Sequence, residues 1–131
     1  MSNEYVILNA DGFSFEVEGR DNGRINKVFN HLPKHFQEVI TLTDIADQVS
    51  MTEPSFCRYF KKLTSKTFVQ FLNEYRLVHA SKLLAEKKIN ITEICYESGF
   101  GNFSHFNKQF NIFTGKTPSQ YRQDLKQIFL T

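Results

Sequence analysis

The spacing of apolar positions changes near residue 24. Before it, residues 4–17 have a strand-like pattern: the apolar run Tyr5-Val6-Ile7-Leu8, a pause at Asp11-Gly12, and the alternation Phe13-Ser14-Phe15-Glu16-Val17. A short apolar run on one side of a turn pair and period-two alternation on the other predict two strands. A two-stranded hairpin alone is marginal in water. Glu18-Gly19-Arg20-Asp21-Asn22-Gly23 then reads as a linker. Residues 1–23 are therefore expected to be an interdomain remnant or appendage outside the core, strand-like or flexible.

From Arg24 the spacing is helical. Ile25, Val28, Phe29, Leu32 and Phe36 share one face, and Pro33 predicts a kink or an early end. A short helix is expected to open at Thr43, after Leu42, with Ile45, Ala46 and Val49 inward, and to break at Ser50-Met51-Thr52. Thr52 can cap the next helix, where Pro54 is tolerated because first-turn N–H groups have no helical partner. Phe56, Tyr59, Phe60 and Leu63 form its apolar stripe, with Arg58, Lys61 and Lys62 mostly off it. Thr67 with Gln70 makes a capping box. It opens the longest helix, about 67–87, packed by Phe68, Phe71, Leu72, Tyr75, Val78, Leu83 and Leu84.

The same succession then recurs. Ile91-Thr92 starts a short helix with Ile94 and Cys95 inside, and Ser98-Gly99-Phe100-Gly101 breaks it. A helix of about 103–114 is expected to turn Phe103, Phe106, Phe110 and Phe113 inward, and Thr117-Pro118-Ser119-Gln120 caps a last one through about Ile128. At an offset of fifty, Phe56, Phe60, Thr64, Lys66, Thr67 and Gln70 return as Phe106, Phe110, Thr114, Lys116, Thr117 and Gln120. Six identities in positions 54–70, where chance would give about one, mark a duplicated unit. Each unit pairs a short helix, a tight turn and a longer helix with a polar outer face. That is the helix-turn-helix plan, whose second helix enters the major groove. A linking helix of roughly 20 residues would be about 30 Å long, close to the roughly 34 Å between successive major grooves. Two reading helices could thus sit over adjacent grooves within one monomer, which raises affinity by making the second contact intramolecular.

Charge sharpens this picture. The chain of 131 residues has a formal charge of only +2, but residues 1–53 balance at −5 and residues 54–131 at +7. A basic second portion fits a polyanion partner or a solvated basic face. The composition is ordinary for a globular chain of one domain. Cys57 and Cys95 lack zinc-ligand spacing and read as reduced thiols. No apolar run reaches the roughly 18 residues of a membrane span, and the first residues lack a secretory pattern, so a cytoplasmic protein is expected.

Three stretches carry a family resemblance: Thr52-Glu53-Pro54-Ser55-Phe56-Cys57-Arg58-Tyr59-Phe60-Lys61-Lys62, Ile94-Cys95-Tyr96-Glu97-Ser98-Gly99-Phe100 and Gly115-Lys116-Thr117-Pro118-Ser119-Gln120-Tyr121-Arg122. Over residues 24–124 the chain resembles the DNA-binding domain of the AraC/XylS family of bacterial transcription regulators. The resemblance implies an all-α fold of seven helices in two helix-turn-helix subdomains joined by a long linker helix. The expected layout is a first unit over about 24–66, the linker over about 67–87 and a second unit over about 91–128. It further implies a promoter-proximal site of double-stranded DNA, commonly with contacts to RNA polymerase. The family's base-reading positions fall on Pro54, Ser55, Cys57 and Arg58, and on Ser104, His105, Asn107 and Lys108. Arg58 can grip guanine O6 and N7 in a bidentate fork, and Asn107 can read adenine. Lys61, Lys62 and Asn111 suit phosphates.

Two departures stand out. Pro54 and Cys57 replace larger hydrogen-bonding side chains, and Ser98 replaces a small apolar residue. Relatives also carry a sensing or dimerising domain, for which 131 residues leave no room, so the chain reads as a C-terminal fragment or a single-domain member. No nucleophile triad, phosphate-cradling glycine loop or carboxylate pair marks an enzyme, and no cofactor is implied. The alternative reading is a helical protein–protein module that contacts RNA polymerase or a partner regulator with little DNA affinity.

Overall fold

Side-chain caps punctuate the chain. The computed structural model describes residues 5–10, 13–18, 22–86 and 88–130, with side chains from 23 through 128 except 87. Two strands, β1 (Tyr5–Ala10) and β2 (Phe13–Glu18), precede seven helices. These are α1 (Asn22–His35), α2 (Leu42–Gln48), α3 (Glu53–Thr64), α4 (Phe68–Glu86), α5 (Ile91–Glu97), α6 (Phe103–Thr114) and α7 (Pro118–Leu130). Among the described residues six helices open on a side-chain oxygen that accepts a first-turn N–H: Thr41 from Asp44 at 3.1 Å, Thr52 from Ser55 at 3.3 Å, Thr67 from Gln70 at 3.1 Å, Asn90 from Glu93 at 2.8 Å, Asn102 from His105 at 2.9 Å and Thr117 from Gln120 at 3.2 Å. Each such cap is worth about 1 kcal/mol against alanine.

The chain divides into two compact units, Met1–Leu72 and Asn73–Thr131, the division falling inside α4. In the first unit, β1 and β2 pair antiparallel from Tyr5 opposite Glu18 to Ala10 opposite Phe13. β1 lies beside α1 and β2 beside α3. The core is phenylalanine-rich. Phe60 meets Phe56, Phe68 and Phe71 with ring centroids 5.6, 5.5 and 5.4 Å apart, and Phe29 stacks on Phe71 at 5.2 Å. Edge-on and stacked pairs of this kind each add about 0.5–1.5 kcal/mol beyond area burial.

The second unit's core joins Leu77, Ala80, Leu83 and Leu84 of α4 to Ile94, Cys95, Phe100, Phe106 and Phe110. Tyr121 of α7 meets Phe110 edge-on at 5.3 Å. Cys95 packs here as a small apolar group, and burial pushes its thiol pKa up, which favours the uncharged form. Arg122 ties the unit together: its guanidinium donates to the carbonyls of Ile89 at 2.7 Å and Leu84 at 3.4 Å. These bonds satisfy backbone oxygens where α4 ends and the chain turns toward α5.

The duplication is visible atom by atom. Thr64 donates its hydroxyl to Phe60 O at 2.9 Å and accepts Lys66 N at 3.2 Å; Thr114 does the same with Phe110 O and Lys116 N at the same distances. The next residue is left-handed in both copies, Ser65 at φ 65° and Gly115 at φ 80°.

Several expectations need correction. α2 is capped by Thr41, so Leu42 lies in its first turn and the helix does not wait for Thr43. Glu18 belongs to β2, and Asn22 and Gly23 to α1. The Asp11-Gly12 turn and residues 19–21 of the expected linker lie outside the described residues. α1 ends two residues past Pro33. In α4, Leu77 and Ala80 are buried and Val78 only half so, because the helix serves two cores in turn and no single stripe runs its length. In α6, Phe103 and Phe113 stay 39% and 42% exposed, since Phe106 and Phe110 already fill the core-facing side. The second capping box forms only the Thr117-to-Gln120 N–H bond, for the Gln120 amide turns to Asp124 at 2.7 Å.

Two substitutions follow from these geometries, both read by denaturant unfolding. Ser65→Gly, copying Gly115, is expected to add about 1 kcal/mol by relieving a left-handed non-glycine residue. Ser98 is fully buried and its hydroxyl has no hydrogen-bond partner, so Ser98→Ala is expected to add about 1 kcal/mol as well. A loss in either variant would contradict the corresponding geometry.

Candidate nucleic-acid interface

In each unit a short helix, a tight turn and a longer helix follow in succession. In the first, Val49 caps α2, Ser50 takes φ 58°, and Met51 N–H returns to Ala46 O at 3.0 Å. In the second, Ser98 caps α5, Gly99 takes φ 94°, and Phe100 N–H returns to Cys95 O at 3.1 Å. The left-handed residue reverses the chain within a few residues. Glycine adopts this conformation freely at 99, whereas Ser50 does so without that freedom.

The turn and the core together decide which face of the second helix is outward. On α3, Phe56 and Phe60 are fully buried. At 100° per residue, Pro54, Cys57, Arg58, Lys61 and Lys62 fall on an arc of about 140° on the other side, and all five are exposed. Ser55 flanks the arc and is half-buried. On α6, Phe106 and Phe110 are the buried pair. Ser104, Lys108 and Asn111 are exposed opposite them, as is His105 at the flank, while Asn107 is half-buried. The structure thus brings Pro54, Ser55, Cys57, Arg58, Lys61 and Lys62 together on α3, and Ser104, His105, Asn107, Lys108 and Asn111 on α6.

The electrostatics of the two faces agree in sign. The only acid on α3 is Glu53 in its first turn, where the helix dipole favours a negative charge. α6 contains no acid. Arg58, Lys61 and Lys62 therefore dominate the first face, and Lys108 the second. The faces differ in detail: where α3 has Lys62, α6 has Ile112, which is 68% exposed. His105 rests its ring against Phe100, centroids 6.0 Å apart. Among the described residues no group of three or more histidine, cysteine or carboxylate side chains is arranged to hold a metal ion, and no helix is long and apolar enough to cross a membrane.

Periodicity alone did not reveal how the two faces are held. Arg122, whose bonds close the α4–α5 loop of the second unit, was legible only as part of the quoted Gly115–Arg122 stretch. The caps Asn90 and Asn102 were findable from their side chains, as asparagine immediately before a helical run is a start signal.

Two helix-turn-helix pairs, each presenting a polar and basic second helix, define the class of domain. Comparison with known proteins agrees. The family model described as a helix-turn-helix domain, of the AraC type, matches residues 45–124. The chain belongs to this family. It is similar to the HTH-type transcriptional regulator YdeC of Bacillus subtilis, itself uncharacterised, with 31% identity over 119 residues that cover 88% of the chain and 41% of YdeC. It is also similar to the HTH-type transcriptional activator RhaS of an Enterobacter strain, with 33% identity over 109 residues covering 82% of the chain and 39% of RhaS. The chain spans about two fifths of the length of these curated relatives. Among solved structures, the DNA-binding domain of AdpA, a global transcriptional factor solved in complex with a target DNA, superposes with a TM-score of 0.76 at 23% identity. That match covers 79% of the chain and 94% of the AdpA domain. A Listeria innocua protein of unknown function superposes at 0.70 with 30% identity, covering 76% of the chain and 94% of its own.

The end of α6 is anchored by an ion pair. Lys116, just past α6, donates to Asp124 of α7, and Gln120 donates to the other carboxylate oxygen. Hydrogen bonds from Lys116 and then Gln120 hold the Asp124 carboxyl below its ordinary value. A depressed carboxylate contributes stability above the ordinary carboxylate range and loses it as pH falls through its own lower pKa. Lys116→Met is expected to raise the Asp124 titration midpoint toward the ordinary range, read by side-chain carboxyl NMR. An unmoved midpoint would mean the pair does not form in solution.

Proposed function

We propose that the chain is the sequence-specific, double-stranded DNA-binding part of a transcription regulator, reading two major-groove segments with α3 and α6. The observation that carries this reading is the pair of outward faces, each polar and basic and each fixed from behind by two buried phenylalanines. A helix is the element whose width fits the major groove, and the residues on these faces have the needed chemistry. Arg58 can bond guanine O6 and N7 together, and Asn107 can bond adenine N6 and N7. Pro54, Ser55, Cys57, Ser104, His105 and Lys108 are proposed to approach base edges beside them. Lys61, Lys62 and Asn111 are proposed to bind phosphates, fixing register and adding affinity without sequence choice.

The reading draws support from the AdpA domain, which has the same fold and was solved on DNA, and from relatives named as transcriptional regulators. Residues 24–131 form the tandem DNA-binding domain in this proposal, and residues 1–23 an appendage that precedes it. Action in the cytoplasm on promoter DNA, with contact to RNA polymerase, belongs to the same proposal.

The test separates base reading from charge. On a duplex selected by the chain from a random library, Arg58→Ala is expected to weaken binding by about 1–3 kcal/mol, with a smaller loss on random duplex. Equal loss on both would make Arg58 a backbone contact. Lys61→Ala is expected to weaken binding on all sequences and lower the salt slope by about one unit. An unchanged slope would remove Lys61 from the phosphate contacts.

A further inference from the structure

We propose that His31 and His35 form a two-histidine site for a divalent transition-metal ion of the nickel, copper or zinc class, on the surface of the first unit. The proposal is independent of DNA binding. His31 and His35 stand four residues apart on α1, the spacing that places two imidazoles on one helix face where a single metal ion can bridge them. Their rings lie 4.3 Å apart between centroids and 21° from parallel. Both are half-buried, so solvent reaches them.

A carboxylate completes the arrangement. Glu38 lies 2.6 Å from Nδ1 of His35. A carboxylate at Nδ1 selects the tautomer that donates from that nitrogen, which leaves the Nε2 lone pair for a metal and strengthens it as a ligand. Burial, and then the neighbouring His35, lower the pKa of His31, with Glu38 and Asp44 pulling in the opposite direction. The neutral imidazole is the form that binds metal.

The setting is concave and acidic. His31, His35, Glu38, Asp44, Asp47 and Gln48 line a depression of about 330 Å³. Lys27 and Lys34 line the adjoining surface. Three carboxylates from α2 and the segment after α1 thus face two lysines of α1, a balance that favours a cation. Two nitrogens each about 2.0–2.1 Å from one ion lie closer together than the stacked rings, so the imidazoles must pivot from their parallel arrangement on binding. With no third side-chain ligand among the described residues, water fills the remaining positions. Imidazole as the sole protein donor selects this metal class over calcium and magnesium, which take oxygen ligands.

The test is a titration of Ni²⁺ into the full chain at pH 7.5, followed by calorimetry and by histidine ring NMR signals. One saturable site is expected, with the paramagnetic ion broadening His31 and His35 first. His31→Gln and His35→Gln are each expected to weaken binding at least tenfold. Glu38→Gln, which keeps both imidazoles, is expected to weaken it about tenfold, and His79→Gln to leave it unchanged. Lowering the pH to 5.5 is expected to weaken binding, as protons compete for the imidazoles. Should a histidine variant lose its helical circular dichroism, the broadening order in the unaltered chain decides. Absence of saturable binding, first broadening of His79 or His105, or affinity that survives both histidine substitutions would overturn the proposal.

Discussion

A reading helix can hold side chains to another molecule only if its reverse side is fixed, and here two phenylalanines do this in each unit. Phe56 and Phe60 are fully buried behind α3, and Phe106 and Phe110 behind α6. Spaced four apart, each pair occupies one side of its helix and allows little rotation about the axis. Rotation by one residue would bring Cys57 and the charged Lys61 of α3 to the aromatic core, and the polar Asn107 and Asn111 of α6. The burial of an unpaired charge costs far more than any contact it forfeits outside. The orientation of Arg58 and Lys108 is thus a consequence of where the rings are.

The duplicated units solve the same local problems with overlapping but unequal residues. Both close the second helix with a threonine that bonds back to the phenylalanine carbonyl four residues earlier, followed by a left-handed residue. One copy uses Ser50 and Ser65 where the other has Gly99 and Gly115. The frames are therefore repeated while the outer faces diverge. Cys57 corresponds to Asn107 and Lys62 to Ile112. Under the proposed function, this divergence means the two halves of a binding site differ in sequence rather than forming a repeat. The greater cationic content of α3 also assigns it the larger share of phosphate attraction.

Much of this was legible beforehand, for physical reasons. Helix boundaries follow from caps and breakers, and the repeat of Phe56, Phe60, Thr64 and Gln70 at an offset of fifty marks two like units. The face holding Arg58, Lys61 and Lys62 was legible as the complement of a strict apolar stripe. The misses have specific causes. Thr41 and Thr43 are both capping residues, and only geometry chooses between them. Phe103 and Phe113 read as core because their type and spacing fit, but a helix of twelve residues against a small core has room for only two such rings on its inner side. Leu77 and Ala80 lie off the side of α4 that carries Phe68, Phe71, Leu72 and Tyr75, and are buried because the helix serves a second core. Arg122 bonds carbonyls more than thirty residues away, and a contact of that range leaves no periodic trace.

The central claim, that α3 and α6 each contact a major-groove segment of one DNA site, is tested most directly by guanine-N7 methylation protection on a duplex the chain selects. The account predicts two protected clusters in the major groove, about one helical turn apart and of different sequence. The cluster assigned to α3 should lose protection in Arg58→Ala, and the other should lose it in Lys108→Ala. A single cluster that weakens with both substitutions, or uniform protection with no cluster, would contradict it.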